Sequence, residues 1–96
     1  MRFIFKQTMS YYEPSRAFSL PAGSRFISAI NQREQIYLYY EQGNGPDIPL
    51  FYVHVRPTSG EVLEGTRFLN TLSFDNGEFI AHIYVEEPQV VRHSVT

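Results

Sequence analysis

Apolar and polar residues alternate along most of this chain, in short runs separated by turn-forming residues. Alternation with a period of two marks a strand that buries one face. Over Gln35–Gln42, Ile36, Leu38 and Tyr40 fall on one face and Tyr37 and Tyr39 on the other. Over Leu50–Arg56, Phe51, Val53 and Val55 oppose Leu50, Tyr52 and His54. Glu78–Glu86 repeats the pattern, with Phe79, Ala81, Ile83 and Val85 opposite Ile80, His82 and Tyr84. Arg2–Gln7, Ala17–Leu20, Arg25–Asn31 and Arg67–Phe74 complete seven predicted strands.

The punctuation between these runs agrees. Pro21-Ala22-Gly23-Ser24 and Gly43-Asn44-Gly45-Pro46-Asp47 read as loops, and Asn31–Glu34 is short enough to close a hairpin. Asp75-Asn76-Gly77 is the strongest local signal, because Asn and Gly accept the positive φ that tight hairpin turns demand. Glu61–Glu64 followed by Gly65 predicts one helical turn inside the irregular stretch Pro57–Thr66. Ser10-Tyr11-Tyr12-Glu13 has capping-box spacing, but Pro14 prevents a helix from continuing. The expected fold is all-β: about seven short, mainly antiparallel strands in a small sandwich or partly open barrel. Residues 1–86 would form a single domain and residues 87–96 a C-terminal tail.

Composition sharpens this picture. Ninety-six residues suffice for one core, and the 7 Tyr and 8 Phe suit pleated, half-buried surfaces. The absence of Cys excludes disulfides, thiolate metal sites and a thiol nucleophile, and favours a reducing compartment. The opening residues lack a signal peptide's apolar run, and no stretch has the length of a membrane span. These features give a reducing, cytoplasmic location as the expectation, with no membrane partner. A net charge of −2, spread along the chain, weighs against a nucleic-acid partner.

The strands are two-faced. The face with Ile36, Leu38, Phe51, Val53, Val55, Phe79, Ile83 and Val85 must be core. The opposite face carries Tyr37, Tyr39, Tyr52, His54, His82 and Tyr84, side chains that bury broad rings while keeping a polar tip. With Arg56, they form the candidate binding residues. Either the N-terminal hairpin covers this face or a partner does. His54 and His82, with Glu41 or Glu78, would make a minimal metal site, yet their spacing matches no metal-binding motif. A Ser–His–Asp triad can be drawn from many residues, but no G-x-S-x-G elbow occurs. Gly43-Asn44-Gly45-Pro46 lacks the Lys-Ser/Thr of a phosphate-cradling loop. No motif calls for a metal, a cofactor or a catalytic residue, so the expectation is binding rather than chemistry.

The order of features also resembles a small family of phage-encoded proteins of unassigned function. The residues that carry the likeness are Phe3-Ile4-Phe5-Lys6, Phe18-Ser19-Leu20-Pro21-Ala22-Gly23-Ser24 running into Ile27, Ile36–Tyr40, and Phe68-Leu69-Asn70-Thr71-Leu72 through Asp75-Asn76-Gly77 to His82-Ile83-Tyr84. It covers roughly residues 1–86, with Gln42–Arg56 matching poorly. The resemblance implies a phage or prophage origin and a compact β fold. The leading expectation is an accessory protein that binds a host or phage protein stoichiometrically, alone or as a homo-oligomer, and blocks a host defence or enzyme. The alternatives are a virion or assembly component, and a pocket for a nucleotide-like ligand using Tyr rings with Arg25, Arg56 or Arg67.

Overall fold

A computed structural model describes residues 2–88. It contains seven strands: β1 (Ile4–Met9), β2 (Ser15–Pro21), β3 (Arg25–Gln32), β4 (Gln35–Glu41), β5 (Asp47–Pro57), β6 (Arg67–Phe74) and β7 (Phe79–Glu86). They form two antiparallel sheets, a three-stranded one in the order β1-β4-β3 and a four-stranded one in the order β2-β5-β7-β6. The all-β expectation holds, as two stacked sheets rather than a closed barrel.

The alternation decides which side of each strand turns inward. Ile36, Leu38 and Tyr40 of β4 face Phe51, Val53 and Val55 of β5 and Ala81, Ile83 and Val85 of β7 across one buried cluster. Phe26 is its aromatic centre, with ring centroids 6.2 Å from Phe18, 6.2 Å from Tyr40 and 6.3 Å from Phe51, all edge-to-face. That geometry suits the ring quadrupole. Phe79, expected in the core, packs against it half-buried at one end. Pro49 has no N–H to give to a ladder. It lies in β5 where the pairing with β2 slips between Phe18 and Leu20, so no bond is forfeited.

The sheets are joined along one side by side chains. β3 and β6 run past each other with a register shift in each, between Phe26 and Ser28 and between Phe68 and Asn70. Asn70 Oδ1 accepts the Ala29 N–H at 2.8 Å, and Asn31 Nδ2 donates to the Ser73 carbonyl at 2.7 Å. Arg67 Nη2 donates to the Phe26 carbonyl at 2.9 Å, and Glu87 Oε2 accepts the Phe26 N–H at 2.7 Å. Glu87 Oε1 also binds Arg67 Nη2 at 2.8 Å. These groups replace a strand ladder, satisfying backbone groups that would otherwise be left unpaired. Glu87 was assigned to the tail by sequence, yet it anchors this seam. Residues 89–96 of the expected tail lie outside the described residues. On the opposite side β1 and β2 are edge strands, and Ile4 (62%) and Phe5 (46%) of β1, with Phe3 (56%) just before it, are exposed.

One local expectation is corrected. Glu61–Gly65 forms no helical turn. Arg56 Nε takes the Glu61 carbonyl at 3.1 Å and Thr66 Oγ1 the Leu63 carbonyl at 2.6 Å, so side chains fill the role of helical N–H donors. The expected β6–β7 hairpin turns at Asp75-Asn76-Gly77. Phe74 pairs with Phe79, and the four residues between them turn through positive φ at Asp75 (52°), Asn76 (52°) and Gly77 (89°). Packing of both Phe rings against Tyr11 favours this register, with centroids 4.4 and 5.5 Å away. Arg33-Glu34 is a two-residue turn, with φ of 55° and 64° and no glycine.

Candidate functional site

Antiparallel pairing sets residues of β5 and β7 side by side on the outer face of the four-stranded sheet. Tyr52 lies opposite Glu86, His54 opposite Tyr84 and Arg56 opposite His82. β6 extends the rows, with Phe68 opposite Tyr84 and Thr71 opposite His82, and β2 adds Ser15 opposite His54. Five candidates, Tyr52, His54, Arg56, His82 and Tyr84, therefore form one contiguous patch. Tyr37 and Tyr39 do not join it. They lie on the outer face of the other sheet, opposite Thr8 and Lys6 of β1. Identical alternation in two strands cannot reveal that the strands belong to different sheets.

Neither outer face is covered by the N-terminal hairpin, whose strands separate into different sheets. On the three-stranded sheet, the Lys6 ammonium sits 5.1 Å from the Tyr37 ring centroid, a cation–π distance. Exposed Ile4, Ile27 and Ile30 share that sheet.

The two histidines of the larger patch have different surroundings. His54 is buried, only 6% exposed. Its Nδ1 is 2.7 Å from Ser15 Oγ and its Nε2 2.9 Å from Glu86 Oε1. A buried imidazole needs a partner on each nitrogen, and Ser15 and Glu86 supply them. The line of hydroxyl, imidazole and carboxylate has the order of a catalytic triad, but it runs across β2, β5 and β7 from the sheet edge, and Ser15 lines none of the cavities described below. Sequence reading missed Ser15 and Glu86 because only pairing across β2, β5 and β7 brings them to His54.

His82 lies diagonally from His54 on the same face. Its Nε2 is 3.0 Å from Thr58 Oγ1 and its Nδ1 2.9 Å from Thr71 Oγ1. The two histidines thus satisfy separate networks, and among the described residues no cluster of His, Asp and Glu is arranged to hold a metal ion. Beside His82, a cavity of about 210 Å³ is lined by Arg56, Pro57, Thr58, Ser59, Gly60, Val62, His82 and Tyr84. Arg56 is pinned there, its Nη1 donating to the Pro14 carbonyl at 2.7 Å and the Val55 carbonyl at 3.1 Å. Arg67 is held in the seam by Glu87, and Arg25 lies in β3, opposite Glu41 of β4 on the other sheet, so the three arginines do not converge.

The patch can therefore offer rings, hydroxyl tips and one oriented cation on a rigid sheet. Phe68, 52% exposed and 5.5 Å from the Tyr84 ring, adds apolar area at its edge. Among the described residues no helix is long and apolar enough to cross a membrane. No curated protein and no solved structure matches the chain. A family described as a domain of unknown function, DUF7352, matches residues 1–94. The chain belongs to this family.

Proposed function

We propose that the protein acts by stoichiometric binding to another protein, through the outer face of the four-stranded sheet. The observation that carries this reading is the uncovered, contiguous row of Tyr52, Arg56, His82, Tyr84 and Phe68. Aromatic residues and arginine supply most of the energy in protein interfaces, because they bury large areas at small entropic cost. The finer reading is a phage accessory protein in the host cytoplasm that blocks a host defence component or enzyme. It rests on the likeness of the sequence pattern to phage-encoded proteins.

The test is affinity capture from infected host cells with the wild-type chain and two double variants. Tyr52→Ala with Tyr84→Ala is expected to reduce recovery of the partner at least about tenfold, the scale of one hot-spot residue. Tyr37→Ala with Tyr39→Ala, on the opposite surface, is expected to retain it. Undiminished capture by the first variant, with its melting transition intact, would refute the assignment to this face.

A second reading has its own support. The β1 edge offers unpaired backbone groups beside Phe3, Ile4 and Phe5, the features that let a strand pair with another copy. Antiparallel pairing centred on Phe5 would set Ile4 opposite Lys6 and Phe3 opposite Gln7 of the second copy, with no like charges opposed. This is the homo-oligomer reading.

A further inference from the structure

At one end of the sandwich three turns meet and build a cleft of which the sheet faces are no part. Glu34 Oε2, from the β3–β4 turn, accepts the Asp75 N–H of the β6–β7 turn at 2.8 Å. The β1–β2 turn joins them through Tyr11, whose ring stacks on Phe74 at 4.4 Å with the planes 20° apart. Tyr12 lies over Tyr11 at 4.2 Å, and the Tyr11 hydroxyl donates to the Tyr12 hydroxyl at 2.8 Å. A cavity of about 600 Å³ opens beside these rings, lined by Tyr11, Tyr12, Glu34, Gln35 and Asp75 among others. A second, of about 390 Å³, adjoins it and adds Phe79.

Tyr12 is the unusual element. Its side chain is 79% exposed, yet its backbone is fixed. The Tyr12 N–H donates to Ser10 Oγ at 3.1 Å and the Ser10 N–H to Glu13 Oε2 at 2.9 Å. The capping-box residues thus build a rigid turn instead of a helix. A large ring held in place without burial costs entropy and returns little hydrophobic stabilisation. A ring posed in this way is suited to stack on something else.

The cleft's charge indicates what that is. Two carboxylates, Glu34 and Asp75, line it, while no Lys or Arg does. Glu13, the other acid nearby, is already paired with Arg16 at 3.0 Å, and Arg33, next to Glu34 in the same β3–β4 turn, is outside the lining. The Tyr11 hydroxyl reports the same field. Its pKa is pushed up to about 12, first by the hydrogen bond to Tyr12, then by desolvation, then by the negative charge of Tyr12, Asp75 and Glu34.

We propose that this cleft binds a guanidinium group, the side chain of an arginine presented by a protein partner. A guanidinium is flat enough to stack on Tyr12 and donates paired N–H bonds to a carboxylate, whereas an ammonium offers only a point charge. The partner rests on the protein-binding reading above; the chemistry of the cleft does not.

The test is an NMR titration of the isolated chain with N-acetyl-arginine methylamide, using the neutral isostere N-acetyl-citrulline methylamide as control. Saturable shifts at Tyr12, Glu34 and Asp75 are expected with the arginine compound only. Glu34→Gln with Asp75→Asn should weaken binding at least about tenfold, since the attraction is to the carboxylate charge. Both substitutions preserve the local structure: Gln keeps an oxygen for the Asp75 N–H, and Asn tolerates a φ of 52°. No saturable shift, equal binding of the citrulline compound, or unchanged binding by this variant would overturn the proposal. Once a partner is captured, full affinity of the same variant for it would also overturn the proposal while leaving the sheet-face reading standing.

Discussion

Replacing Glu87 by alanine tests whether side chains hold the two sheets together. The substitution removes the carboxylate that accepts the Phe26 N–H at 2.7 Å and binds Arg67 at 2.8 Å. Losing a charged partner for a part-buried N–H costs about 1.5–3 kcal/mol. The Arg67 side chain is 38% exposed, so solvent screening limits the ion pair to under about 1 kcal/mol. The expected loss is about 2–4 kcal/mol, a large fraction of the roughly 5–15 kcal/mol that holds a domain folded. Urea denaturation measures it, with an unchanged slope because the surface exposed on unfolding is the same. Glu87→Gln keeps an oxygen acceptor without the charge and should lose about half as much, about 1–2 kcal/mol. Hydrogen exchange should accelerate at the Phe26 amide and leave that of Leu38, in the centre of its sheet, protected. A loss under about 0.5 kcal/mol for Glu87→Ala, the range of an ordinary surface substitution, would refute the seam.

Two further predictions follow from the β1 edge and from Tyr11. Sedimentation at rising concentration should show the wild-type chain self-associating and a Phe3→Ser, Phe5→Ser variant remaining monomeric; identical monomers would exclude pairing through β1. In the folded chain the Tyr11 proton is held to about pH 12, against 10.0 for the ordinary group, so the folded state binds it more tightly than the unfolded state does. That contribution to stability is complete below pH 10 and disappears as pH rises through 12. Melting curves of wild type and Tyr11→Phe should therefore differ in their pH dependence in this window alone, and parallel curves would show that Tyr11 is not so held.

The sequence by itself determined the strands, their two faces and most of the core. Period-two alternation is a local property: Ile36, Leu38 and Tyr40 must share a side whichever strand pairs with β4. Turn chemistry is local too: Asp75-Asn76-Gly77 takes the positive φ that its residues allow and turns β6 into β7. Tertiary structure decided which faces are neighbours. Tyr39 and Tyr52 follow the same alternation, but β4 and β5 lie in different sheets, so one binding surface became two. The features that matter most join residues far apart in the chain: Asp75 to Glu34 across 41 positions, His54 to Ser15 across 39 and Phe26 to Glu87 across 61. Contacts of that separation leave no periodic trace in the sequence, because each depends on the order in which strands pair. Tyr12 illustrates the division. Its turn was legible in Ser10-Tyr11-Tyr12-Glu13-Pro14, while the carboxylates that face its cleft come from turns that only the stacked sheets bring together.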